Sequence, residues 1–135
     1  MRIDCHNHSN YSMHGSVSVA HMCRAAADRG IDVFAVTDHC DVNEWENQKL
    51  ETSIPASLSA VEAQKGKWDV RLLSGVELGE PLEDMGKTRQ ILADPRLHLA
   101  IGPFHNVPGQ PDFYFLDYAK FTDAEIHSLF QAYYQ

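Results

Sequence analysis

The sequence predicts an α/β chain built on a parallel sheet, and three observations predict it. Apolar runs of strand length alternate with segments of helical spacing four times in succession, the pattern of consecutive β-α units. Glycines, prolines and polar turns fall between the segments. The second run, IDVFAVTDH (31–39), is apolar until its last residues, as in a strand covered on both faces.

Each element can be justified in order. Residues 2–6 read as a short first strand. Between Val17 and Arg29, Val19, Met22, Cys23 and Ala26 recur at helical spacing, with Ser16 or Ser18 as N-cap and Gly30 as the stop. Residues 31–39 form the second strand, and DVNEWENQKLET (41–52) reads as an irregular polar excursion. A weaker helix is expected from about Pro55 to Lys65, ended by Gly66. WDVRLLSGVELG (68–79) is the third strand. Pro81 opens a short helix that must end near Asp94-Pro95, because proline disfavours helix in the residue before it. RLHLAIG (96–102) is the fourth strand. A loop with Pro103, Pro108, Gly109 and Pro111 leads to Thr122-Asp123-Ala124-Glu125, a capping box for a last helix carrying Ile126, Leu129, Phe130 and Tyr133.

The 135 residues have the length of one domain, 1–135, with no repeat, low-complexity segment or linker. No apolar run approaches the roughly 20 residues of a membrane span. MRIDCHNH lacks an apolar signal core, and three cysteines without CxxC spacing read as reduced thiols, so a cytoplasmic setting is expected. A net charge of −8 with no Lys/Arg-rich block argues against nucleic acid as a partner. A small phosphorylated substrate stays open, because metal ions can supply positive charge that a residue count misses.

The chemistry collects at the strand ends. In parallel α/β folds functional residues sit at the carboxyl ends of the strands. The first strand runs out through His6 and His8, with His14 in its loop; side chains two apart share a strand face, which would align Asp4, His6 and His8. The second ends in Thr37-Asp38-His39, the third in Glu77, and the fourth leads into His105. Imidazoles around one carboxylate suit zinc, manganese or iron, and a glutamate among histidines can bridge two ions. Asp38 and Asp4 read as residues that orient a ligand or cap a turn. His21 and His127 read as solvated helix residues, His98 as a packed strand histidine, and Cys5 as core. Cys40 is a weaker ligand candidate. Phe113, Tyr114, Phe115, Tyr118 and Phe121 read as core packing.

The four motifs DCHNHSNYSMHG, VFAVTDHCD, GVELGE and IGPFHN together resemble the polymerase-and-histidinol-phosphatase (PHP) family of metal-dependent phosphoesterases. Within it, the stretch after TDH and the segment HNVPGQPDFYFLDY look most like bacterial histidinol-phosphatases. The resemblance implies a distorted seven-stranded β/α barrel holding two to three divalent ions. His6 and His8 would hold the first, Glu77 would bridge it to a second bound by His105, and His14 and His39 would contribute to the third. It implies hydrolysis of a phosphate monoester by metal-bound water with no protein nucleophile, with L-histidinol phosphate as substrate. Other esters open to the family are nucleotides and sugar phosphates. The residues that read the substrate are unassigned.

The family's later ligands, a further histidine and a Ser-Asp-Ala-His-like motif, have no counterpart here. The expected architecture is therefore a partial barrel of about four parallel strands with its C-terminal half absent, either as a fragment or completed by a second chain. Open edges at the first and fourth strands would favour self-association. The competing reading is a metal-binding chain without catalytic activity.

Overall fold

Four strands lie side by side in chain order, all parallel: β1 (Ile3–Asp4), β2 (Val33–His39), β3 (Arg71–Glu77) and β4 (Leu99–Ile101). The structure, a computed structural model, describes residues 1–134. The chain forms two compact units, Met1–Pro103 and Phe104–Gln135. The whole sheet belongs to the first. Sequential order without a reversal is the winding of a β/α barrel rather than of a doubly wound sheet, so this is a partial α/β barrel.

Helices α1 (Val19–Asp28), α2 (Leu50–Glu62) and α3 (Met85–Leu92) connect the strands. Ser18 caps α1 and Gly30, at φ +66°, follows its end. Side-chain alternation sorts the two long central strands. Phe34, Val36, Leu72 and Val76 pack among residues of the helices, including Val19, Cys23, Leu58 and Val61. Ala35, Thr37 and His39 on β2, with Leu73, Gly75 and Glu77 on β3, therefore share the opposite face. Position 75 has no room for a side chain: a Cβ there would lie 2.7 Å from Thr37 Cγ2.

Several sequence expectations shift. β1 is two residues long rather than five. Helix α2 starts at Leu50, not Pro55, because Leu50, Ile54, Leu58 and Val61 form one buried stripe at helical spacing. Proline is accommodated inside it, and its carbonyl accepts from Ser59 Oγ and Arg96 Nη1. The stretch before α2 is not merely polar, since Val42 and Trp45 are buried in the same core. Helix α3 opens at Met85 because Asp84 supplies the N-cap, accepting from Gly86 N and Lys87 N. His98 precedes β4 and is exposed, its Nε2 lying 3.4 Å from Lys65 Nζ.

The second unit carries two 3-10 turns, Phe113–Phe115 and Tyr118–Lys120, and helix α4 (Asp123–Tyr133). The capping box forms as the sequence predicts, with Thr122 and Glu125 bonding each other's backbone. Its aromatics do not make a core. Phe113 stacks against Phe130 and Tyr133, but Tyr114 and Phe115 are largely exposed. The adjacent positions of a single 3-10 turn cannot all face one side, which the composition alone does not reveal. Among the described residues no helix is long and apolar enough to cross a membrane.

The thiols separate by burial. Cys23 and Cys40 are fully buried, and desolvation pushes their pKa values up to about 11 and about 12. Cys5 is half-buried rather than a core residue. Only a thiolate attacks a disulfide reagent. The native chain should therefore expose one reactive thiol to Ellman's reagent, Cys5, and all of them after denaturation. Rapid labelling of Cys23 or Cys40 in the native chain would contradict the packing described here.

Candidate metal centre

The centre begins where the main chain leaves β1. The formal strand stops at Asp4, yet the backbone continues alongside β2: Thr37 N donates to Asn7 O at 2.8 Å and Asn7 N to Thr37 Oγ1 at 3.1 Å. The Asn7 side chain adds bonds to Asp4 Oδ1 and Ala35 O. These contacts hold residues 5–8 near the sheet without a ladder, and His6 and His8 meet with their Nε2 atoms 3.2 Å apart.

Register brings in the other donors. His39 and Glu77 end β2 and β3 and are paired partners in the sheet. Glu77 Oε1 lies 3.3 Å from His6 Nε2, while Oε2 lies 3.3 Å from His8 Nε2 and 3.1 Å from His39 Nδ1. One buried carboxylate thus turns its two oxygens toward different imidazoles. His14, exposed in the loop, sets its ring edge-on to His39 at 5.7 Å between centroids. Burial, and then the neighbouring His39, hold the His8 pKa below its ordinary value although Glu77 acts the other way.

Asp38 faces away from this cluster, toward the helices, and is fully buried. It accepts from Ser9 N at 2.6 Å, from Ser9 Oγ and Ser12 Oγ at 2.7 Å, and from Ser57 Oγ on α2. Four donors fill the capacity of a carboxylate's two oxygens. The loop that supplies Ser9 and Ser12 closes tightly, and a Cβ on Gly15 would lie 1.7 Å from Ser9 O. Asp4 is exposed and accepts from Asn7 Nδ2 at 2.8 Å.

His105 lies in the second unit, where its carbonyl accepts from Phe113 N at 2.8 Å. Cys40 packs into the core with Leu50 and Leu58, away from a ligand role. Sequence reasoning missed two buried carboxylates, Asp41 and Glu80, which each offer an oxygen within 4.8 Å of the other. Asp41 Oδ2 also lies 3.5 Å from His39 Nδ1 and accepts from Gln48 Nε2. A signal for Asp41 was available, since it stands two residues past His39 and so on the same side of an extended chain. Glu80 had none, because its placement depends on a left-handed backbone at φ +49°.

The donor set fits a divalent cation. His6, His8 and Glu77 offer ligand atoms all within 4.8 Å of one another. Nitrogen and carboxylate oxygen donors at such a spacing match transition-metal preferences.

A sequentially wound parallel sheet whose carboxyl rim gathers imidazoles around a carboxylate defines an α/β domain with a candidate metal centre at the strand ends. The chain belongs to the PHP domain family, which it matches over residues 4–135. PHP domains are in general metal-dependent phosphoesterases that bind divalent ions. No curated protein matches the chain.

Proposed function

We propose that the chain is a metal-dependent phosphomonoesterase whose substrate is L-histidinol phosphate. The observation that carries this reading is the placement of Glu77, with one oxygen toward His6 and the other toward His8 and His39. A carboxylate so presented suits two ions at once. By the family resemblance, His6 and His8 would hold the first ion, Glu77 would bridge to a second, and His14 and His39 would serve a third. The histidinol-phosphate assignment draws on the likeness of the stretch after TDH and of HNVPGQPDFYFLDY to that branch of the family.

Bound divalent ions supply Lewis acidity toward phosphoryl oxygens and activate water near neutral pH. The protein's part is positioning. Main-chain bonds between Asn7 and Thr37 fix the two early imidazoles, strand register fixes His39 against Glu77, and burial strengthens the field of the Glu77 carboxylate. No serine or cysteine nucleophile is needed; Ser9 and Ser12, in the loop after His8, give their hydroxyl protons to Asp38.

The test is phosphate release by the purified chain from L-histidinol phosphate, nucleotides and sugar phosphates, with manganese and zinc supplied in turn. Turnover fastest on L-histidinol phosphate and lost on chelation is expected. Preference for another ester would move the substrate within the family. Metal binding without hydrolysis of any ester would replace the reading by a non-catalytic metal-binding chain.

A further inference from the structure

The first strand does not carry its own register through to the imidazoles. Ile3 pairs with Val33 and Asp4 with Phe34, and Val33 N donates to Arg2 O at 3.2 Å. Continued in that parallel pattern, the chain would direct Thr37 N to the His6 carbonyl and set His6 beside Val36. Thr37 N instead donates to Asn7 O at 2.8 Å, one residue further on. The first segment therefore fits one extra residue between Asp4 and Asn7.

A slip of one residue exchanges the two faces of a strand. In register, His6 and His8 would lie on the face of Phe34, Val36 and Asp38, which is turned to the helices. After the slip they lie on the face of Ala35, Thr37 and His39, where Glu77 meets both imidazoles at 3.3 Å. Asp4 keeps the original register, so it does not share their face as simple alternation predicts. Two side chains hold the slip. Asn7 Nδ2 donates at 3.2 Å to Ala35 O, the acceptor an in-register His6 N–H would use, and at 2.8 Å to Asp4 Oδ1. Asn7 N donates at 3.1 Å to the hydroxyl of Thr37, a fully buried residue. Gly75, the register partner of Thr37, leaves room for Thr37 Cγ2. The χ1 angle of a β-branched side chain is stiff, so seating the methyl there fixes the hydroxyl toward Asn7.

We propose that Asn7 and Thr37 are positioning residues that hold a one-residue slip of the first segment and so turn His6 and His8 toward Glu77. The inference rests on the metal-centre reading above and deepens it, since neither side chain is asked to touch an ion. The Asn7 amide group takes the place of a missing ladder donor, and the Thr37 hydroxyl takes the place of a missing ladder acceptor. Without them the slipped chain would leave the Asn7 N–H and the Ala35 carbonyl short of partners beside a buried strand.

Two readouts test it on the full chain. In the metal-free parent, nuclear Overhauser contacts should join the rings of His8 and His39, whose centroids lie 4.3 Å apart. The Asn7 amide, although outside the ladder, should be protected from exchange. Thr37→Val keeps the shape but gives Asn7 N no acceptor, and it should weaken the ring contact, as should Asn7→Ala. Thr37→Ser keeps the hydroxyl and should retain it. Calorimetric titration with manganese or zinc should show about 10–100-fold weaker affinity for Thr37→Val than for Thr37→Ser, the range for groups that orient ligands from outside the ion's own shell. Contacts from His6 or His8 to the Val36 methyls in the parent, or an unprotected Asn7 amide, overturn the proposal even where a variant fails to fold. So do ring contacts unchanged in both Thr37→Val and Asn7→Ala. If the ring contacts follow the two residues while the parent binds no metal, the slip stands and the metal reading falls.

Discussion

Glu77→Gln is expected to cut metal-dependent phosphate release by at least about 100-fold, since even groups one step removed from a metal cost about 10–100-fold when lost. The substitution keeps the size of the side chain and its place opposite His39, and removes the charge that faces His6, His8 and His39. An amide oxygen is a poor bridge between cations, and its NH₂ would turn a donor toward the imidazole nitrogens. Phosphate release and calorimetric metal titration on the same preparation check the result. Hydrolysis at the parent rate would show that the carboxylate is not part of the metal centre. The fold should survive, because Glu77 ends its strand and the core lies on the other face.

Asp38→Ala should act on the fold rather than on the chemistry alone, and by a large amount. The change leaves the Ser9 amide and three serine hydroxyls buried and short of their acceptor. Breaking a buried charged network by removing one partner typically costs about 3–5 kcal/mol, and each orphaned buried donor about 1–3 kcal/mol. A loss of about 3–5 kcal/mol is therefore expected in urea unfolding, read from the midpoint at unchanged slope. Asp4→Ala, which removes one exposed bond to Asn7, should stay within about 0.5 kcal/mol. Equal effects for the two would mean that the Asp38 knot is not the anchor of the His8 loop.

The sheet was legible because its evidence is local. Strand-length apolar runs, a glycine stop after α1 and a capping box before α4 are each written in neighbouring residues. The start of α2 was not, because Pro55 is a strong local signal while the stripe from Leu50 to Val61 is stabilised only by packing across the sheet. Exposure of the aromatics in the second unit and of His98 was likewise a tertiary fact. At the site, the closeness of His6, His8, His39 and Glu77 was legible from their places at or just past the strand ends. Ser9, Ser12 and Ser57 could not, since their common acceptor joins residues 19 to 29 positions away in sequence. Their meaning appears only once α2 packs beside the first loop.

The brevity of β1 has an energetic consequence. Two exposed residues pair it to the sheet, so its docking draws little from ladder bonds or burial. The imidazoles of His6 and His8 follow within four residues of its end. A cation held jointly by His6, His8 and Glu77 would bind only the state in which the N-terminus is seated beside β2 and β3. By linkage it would add its whole binding free energy to that seating, about 2.7 kcal/mol when free metal is about a hundredfold above its dissociation constant. Amide exchange in the first turn and strand would then report metal occupancy more sensitively than global unfolding does.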